Sequence, residues 1–159
     1  MKSFCFFLIL FISLTAYAQE RQFLSCQGNI KTTITSSESG SKNVETNTIE
    51  KISTEIIIDK SKHNLHVQLP IMNFCETDNS CECKFNNDSY SCSARMEIGN
   101  LSNAMYVLNY KKIEISRKTG IAIFTGLDIE KTQSTTYTNQ RITKNSAQMQ
   151  CAVVMKNIF

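Results

Sequence analysis

Gln148-Met149-Gln150-Cys151-Ala152-Val153-Val154-Met155-Lys156 alternates along its length. An extended chain puts Met149, Cys151, Val153 and Met155 on one side and Gln148, Gln150 and Lys156 on the other. Successive side chains of a strand point to opposite faces, so the stretch reads as a half-buried β-strand. The same period appears near the other end, where Leu24, Cys26, Ile30, Thr32 and Ile34 share a parity that Lys31 and Thr33 do not. It recurs where Leu65, Val67 and Leu69 alternate with Asn64, His66 and Gln68, and where Ile113 and Ile115 alternate with Lys112, Glu114 and Ser116. Residues 48–60 also offer a helical spacing in Ile49, Ile52 and Ile56. Against it, Ile52, Thr54, Ile56 and Ile58 alternate, and the run Ile56-Ile57-Ile58 would lose rotamer freedom in a helix. Strand is the reading adopted.

The connecting segments carry hairpin chemistry. Ser36 to Asn43 is a polar Ser/Gly loop, and Arg117-Lys118-Thr119-Gly120 joins two alternating runs, with Gly120 suited to the left-handed position of a type I turn followed by a bulge. Thr132 to Lys144 is polar and reads as a long exposed strand or a loop. The one proline is Pro70, and tryptophan is absent. Short strands at hairpin spacing, with no helical segment between them, predict an all-β fold: a small antiparallel β-barrel or sandwich stapled by disulfides.

The N-terminus supplies the compartment. Met1-Lys2 precedes an apolar run from Phe4 to Leu14, and Ala16-Tyr17-Ala18 gives small-x-small residues before Gln19. That order is a secretory signal peptide over residues 1–18, and the apolar run is too short for a spanning helix of roughly 20 residues. Residues 19–159 then form a single domain, with a cysteine-rich hairpin insertion at about 75–92. No later segment is apolar and long enough to span a bilayer as a helix, so no membrane association is expected after cleavage. The formal net charge of +3 is spread thinly, without the basic stripe and interleaved aromatics that nucleic acid would require.

Seven cysteines are present, and Cys5 lies in the leader. The remaining six, Cys26, Cys75, Cys81, Cys83, Cys92 and Cys151, are an even number in an exported chain, which reads as three disulfides. Cys26 and Cys151 sit on the apolar parity of the first and last strands. If barrel closure makes those strands neighbours, Cys26–Cys151 is the natural bond. The segment Lys84 to Ser91 resembles a hairpin turning at Asn87-Asp88, which sets Cys83 opposite Cys92 at a non-hydrogen-bonded site and Phe85 opposite Tyr90. That favours Cys83–Cys92 with Cys75–Cys81 over Cys75–Cys83 with Cys81–Cys92. Bonding Cys81 to Cys83 would force a strained small ring.

Catalytic chemistry finds no foothold in the sequence. His63 and His66 fall on opposite faces of a strand, no nucleophile or phosphate-loop motif occurs, and no cysteine is left over to act as a free thiol. Glu76, Asp78, Glu82 and Asp88 gather near the central cysteines without the glycine turn of a calcium loop. Tyr106, Leu108 and Tyr110 share a face opposite Met105 and Val107. Either the strand is buried on both faces, or its parity flips at a bulge near Lys111-Lys112; the functional alternative is an aromatic stripe that meets a partner. The expectation is an exported, periplasmic or secreted, non-enzymatic binding module without cofactor. Its partner would be another protein or a small apolar ligand. The alternative is a secreted metal-handling protein using the central cysteines, since thiolates select soft metals.

Three short stretches carry a resemblance: Ser25-Cys26-Gln27-Gly28, Ile115-Ser116-Arg117-Lys118-Thr119-Gly120, and Cys151 followed by Phe159. They are similar to small uncharacterised exported (periplasmic) proteins of Gram-negative bacteria, in which a Cys-x-Gly start, an Arg-x-Thr-Gly turn and a terminal cysteine recur on β-rich domains. The insertion from Cys75 to Cys92 lies outside the match. The resemblance implies export and a β-rich fold, and it carries over no functional residues.

Overall fold

A computed structural model of the chain describes residues 21–60, 64–69, 72–73, 81–99, 104–134 and 136–154. They form nine strands: β1 (Arg21–Glu38), β2 (Val44–Asp59), β3 (Asn64–Leu69), β4 (Met72–Asn73), β5 (Cys81–Phe85), β6 (Ser89–Ile98), β7 (Met105–Ser116), β8 (Ile121–Gln133) and β9 (Thr138–Val154). The described structure contains no helix, and residues 48–60 extend as β2 rather than coil. The polar stretch from Thr132 to Lys144 is divided between the ends of β8 and β9 and a short turn.

All ladders are antiparallel, in the order β4-β3-β2-β1-β9-β8-β7-β6-β5. This is an up-and-down meander in which each strand except β4 pairs with the next and β9 returns to β1. Among the described residues β4 and β5, the two ends of the order, share no ladder, so the sheet rolls without closing. The roll brings distant strands together. The Tyr90 hydroxyl of β6 donates to Gln22 Oε1 of β1 at 3.1 Å, and the Lys60 ammonium just past β2 lies 5.9 Å from the Tyr90 ring centroid.

Alternation decides what lies inside the roll. Leu24, Cys26 and Ile30 from β1 meet Ile56 and Ile58 from β2, Tyr90 and Cys92 from β6, Ile113 and Ile115 from β7, Ala122 and Phe124 from β8, and Ala147, Met149 and Cys151 from β9. These residues are buried in one cluster on the concave face, and all of them lie toward one end of the strands. Burying a side chain of this size contributes roughly 1.5–3 kcal/mol. The alternation continues past the cluster, but the burial does not: Ile34 is only half-buried, and Met96 and Ile98, on the same parity as Cys92, are exposed. We call the packed part the core end and the remainder the open end.

β1 and β9 are neighbours as expected, with Cys26 opposite Cys151. Their disulfide spans a sequence separation of 125, and the two Cα atoms approach to 4.0 Å. Cys83 pairs with Cys92, also a disulfide, at 4.1 Å between Cα atoms. Both spacings are those of non-hydrogen-bonded pairs, where side chains come closest. The hairpin turns where foreseen: Asn86 Oδ1 accepts from the backbone N–H groups of Asp88 and Ser89 at 2.9 and 2.7 Å, and Phe85 meets Tyr90 edge to face at 5.5 Å. Cys81 is disulfide-bonded as well. Its expected partner Cys75 lies outside the described residues, as do the expected leader, His63 and Phe159.

Gly120 adopts φ 68°, the left-handed conformation its turn requires, and its carbonyl accepts the Cys151 N–H at 2.8 Å. The turn thereby anchors β9 beside the disulfide that joins it to β1. No helix among the described residues is long and apolar enough to cross a membrane.

Candidate binding trough

Past the core end, the concave face becomes amphipathic. The registers place Ile34, Thr143, Asp128, Asn109 and Met96 in one row across β1, β9, β8, β7 and β6. In the next row out stand Val44, Ser36, Arg141, Glu130, Val107 and Ile98. The result is a floor of charged and hydroxyl groups beside an apolar wall. Met96, Ile98 and Met105 form that wall at 40, 49 and 54% exposure, high values for residues of their size on the inner face of a roll. Two adjoining hollows of about 500 and 400 Å³ lie over this floor and share Glu130 and Arg141. The first is bordered by Ser36, Glu38, Lys42 and Val44, the second by Met96, Val107, Asp128 and Thr143.

The electrostatics of the floor follow from partial enclosure. Burial pushes the Asp128 carboxyl above its usual range, and the neighbouring Glu130 charge adds to that. Lys111 and a hydrogen bond from Asn109 Nδ2 act in the opposite direction without cancelling it. Thr32 Oγ1 donates to Asn145 Oδ1 at 2.8 Å and closes the floor toward the core end. The floor therefore offers one guanidinium and two carboxylates at positions set by the ladder registers, next to a flexible thioether wall. Such a surface can pair with opposite charges and mould to an apolar side chain.

The Tyr106, Leu108 and Tyr110 stripe lies on the other, convex face. β7 is an interior strand and its ladder with β8 runs without a bulge from Met105 to Ile115, so no parity flip occurs. Instead the apolar side changes face along the strand. Leu108 stands in a row with Ile129 and Ile142, and Tyr110 stands beside Leu127, all half-buried against one another. Tyr106 is buried and its hydroxyl donates to Glu97 Oε1 at 3.2 Å. The Glu97 carboxyl is held below the usual range first by its hydrogen bond from Arg95 and then by that from Tyr106.

The five described cysteines play no part in the trough. Cys26–Cys151 lies within the core, Cys83–Cys92 joins the β5–β6 hairpin, and Cys81, Cys83 and Cys92, being disulfide-bonded, present no thiolate to a metal. No cluster of three or more His, Cys, Asp or Glu side chains suited to a metal occurs among the described residues. Asp128, Glu130 and Arg141 were not singled out from the sequence. A signal did exist: Asp128 and Glu130 share the parity of Ala122 and Phe124, an inward face that turns from apolar to charged in mid-strand.

No family model matches the chain, and no curated protein matches it. Among solved structures it is similar to Ail, the attachment invasion locus protein of Yersinia pestis, at 7% identity with a TM-score of 0.23, over 82% of this chain and 99% of that one. A likeness of this size carries no argument about function.

Proposed function

We propose that the chain is an exported, non-enzymatic binding module, and that the trough at the open end of its sheet receives an extended segment of a protein partner. One observation carries this reading: the concave face is packed at one end only, leaving Met96, Ile98 and Met105 exposed beside Asp128, Glu130 and Arg141. A segment that suits the trough offers an apolar side chain to the wall, a basic group to Asp128 and Glu130, and an acidic group to Arg141. A small apolar ligand is the less favoured occupant. Phe124, Ile56, Ile58, Ile113, Ile115 and Met149 already fill the apolar end of the face, each less than 2% exposed. Export is supported by the leader pattern of residues 1–18 and by oxidised cysteines, which persist in exported proteins and are rare in the cytosol.

The test is to pan a displayed library of random peptides against the chain with its disulfides oxidised. Enriched sequences should combine an apolar residue with flanking opposite charges, and they should lose binding to Arg141→Glu and to Ile98→Asp. Enrichment indifferent to both substitutions, or none at all, would overturn the proposal.

A further inference from the structure

The other exposed feature of the open end is an edge. β1 pairs with β2 along its whole length, from Ser36↔Val44 to Arg21↔Asp59. On its other side β2 is covered only from Glu55 to Asp59, because β3 pairs no further and the chain reverses at Leu69↔Met72. From Val44 to Ser53, β2 pairs with no second strand among the described residues. The Cα spacing at Cys26–Cys151 fixes which backbone groups this edge displays. Cys26 makes no ladder bonds to β9, so it directs its N–H and C=O to Thr54 of β2, and Thr54 directs its own back. Alternation then turns the N–H and C=O of Glu45, Asn47, Ile49, Lys51 and Ser53 outward. The segment contains no proline or bulge to block pairing, so its charges, Glu45, Glu50 and Lys51, are what limit the partners it accepts, and its most exposed apolar side chain is Ile49, at 71%.

We infer that a second copy of this chain pairs on the edge, antiparallel and centred on Thr48, so that two sheets become one. Two antiparallel strands related by a two-fold axis through the sheet must pair residues on the same face, which restricts the register. Centring on Glu50 or on Lys51 sets like charges directly opposite. Centring on Thr48 sets Glu45 opposite the partner's Lys51 on the convex face, twice by symmetry. It also sets Val44, 63% exposed in the single chain, opposite the partner's Ile52 on the concave face. Opposite charges and apolar pairs placed in this way each stabilise a ladder. The Glu45 carboxylate is already held on the convex side by a hydrogen bond from Asn47 at 2.9 Å, with Asn47 in turn receiving one from Thr33 at 2.6 Å. Lys51 has no ion-pair partner among the described residues.

Sedimentation velocity across a concentration series, on the oxidised chain, tests this. The chain should dimerise. Lys51→Glu should weaken the dimer on the order of tenfold, and adding Glu45→Lys should restore it. Ile49→Pro removes an outward N–H and no bond to β1, so it should leave the fold intact by circular dichroism while abolishing the dimer. Thr48→Cys stands at the non-hydrogen-bonded centre, where two copies should cross-link spontaneously. A monomer at every concentration that gives no Thr48→Cys cross-link would overturn the inference. So would a dimer indifferent to the charge exchange and to Ile49→Pro. Peptide binding in the trough is read separately, and its loss or survival leaves these outcomes distinct.

Discussion

Replacing the Cys26–Cys151 pair by alanines should cost the fold more than replacing any other feature of comparable size. The bond closes a separation of 125 residues, and the chain-entropy relation assigns such a loop about 5 kcal/mol. Cys83–Cys92 closes only 9, for which the same relation gives about 2.5 kcal/mol. Neither change alters the backbone groups that make the ladders, and both pairs include a fully buried sulfur (Cys26 and Cys92 are each 0% exposed). Packing losses therefore partly cancel in the comparison. Against a domain stability of about 5–15 kcal/mol, the first loss approaches unfolding and the second is tolerable. Urea denaturation of Cys26→Ala/Cys151→Ala and Cys83→Ala/Cys92→Ala, each with its remaining bonds oxidised, should show the outer pair costing roughly 2 kcal/mol more. Equal losses, or a larger one for the hairpin pair, would refute the reasoning that the outer bond acts by joining the first and last strands of the chain.

Gly120→Ala should lower stability by about 1–2 kcal/mol in a thermal melt, since a side chain is strained at φ 68° and its Cβ would stand 2.7 Å from the Cys151 carbonyl oxygen; an unchanged midpoint would contradict this. Phe124→Ala, at a site with no solvent exposure, should cost about 3–5 kcal/mol by urea titration. The raised pKa of Asp128 means that the folded state holds its proton more tightly than the unfolded one. Ionisation there opposes folding at neutral pH, and the penalty fades as pH falls through the carboxylate range. Asp128→Asn keeps an acceptor for Asn109, so the variant should be the more stable at pH 7 and should converge with the parent near pH 3. A variant less stable at pH 7 would reverse the argument.

The core end was legible in the sequence because its information is local. Period two marks Leu24, Cys26, Met149 and Cys151 as inward, and a two-residue turn fixes Cys83 against Cys92 and Phe85 against Tyr90 without reference to the rest of the chain. The trough was not legible. Parity assigns Asp128, Glu130 and Arg141 to the concave face, but how far along that face the core extends depends on how tightly the whole sheet rolls. The convex row of Leu108, Ile129 and Ile142 was hidden for the same reason, since it assembles only once three strands take their registers. The free edge of β2 depends on where β3 stops pairing, at Glu55↔Gln68, which no local pattern in β2 announces.

Hydrogen exchange followed amide by amide tests most directly whether one sheet has a packed end and an open one. β1, β8 and β9 carry continuous ladders from end to end, so hydrogen bonding alone would protect them evenly. The account predicts slow exchange around Cys26, Phe124 and Met149, and exchange faster by orders of magnitude around Ser36, Glu130 and Arg141. Uniform protection along these three strands would contradict it.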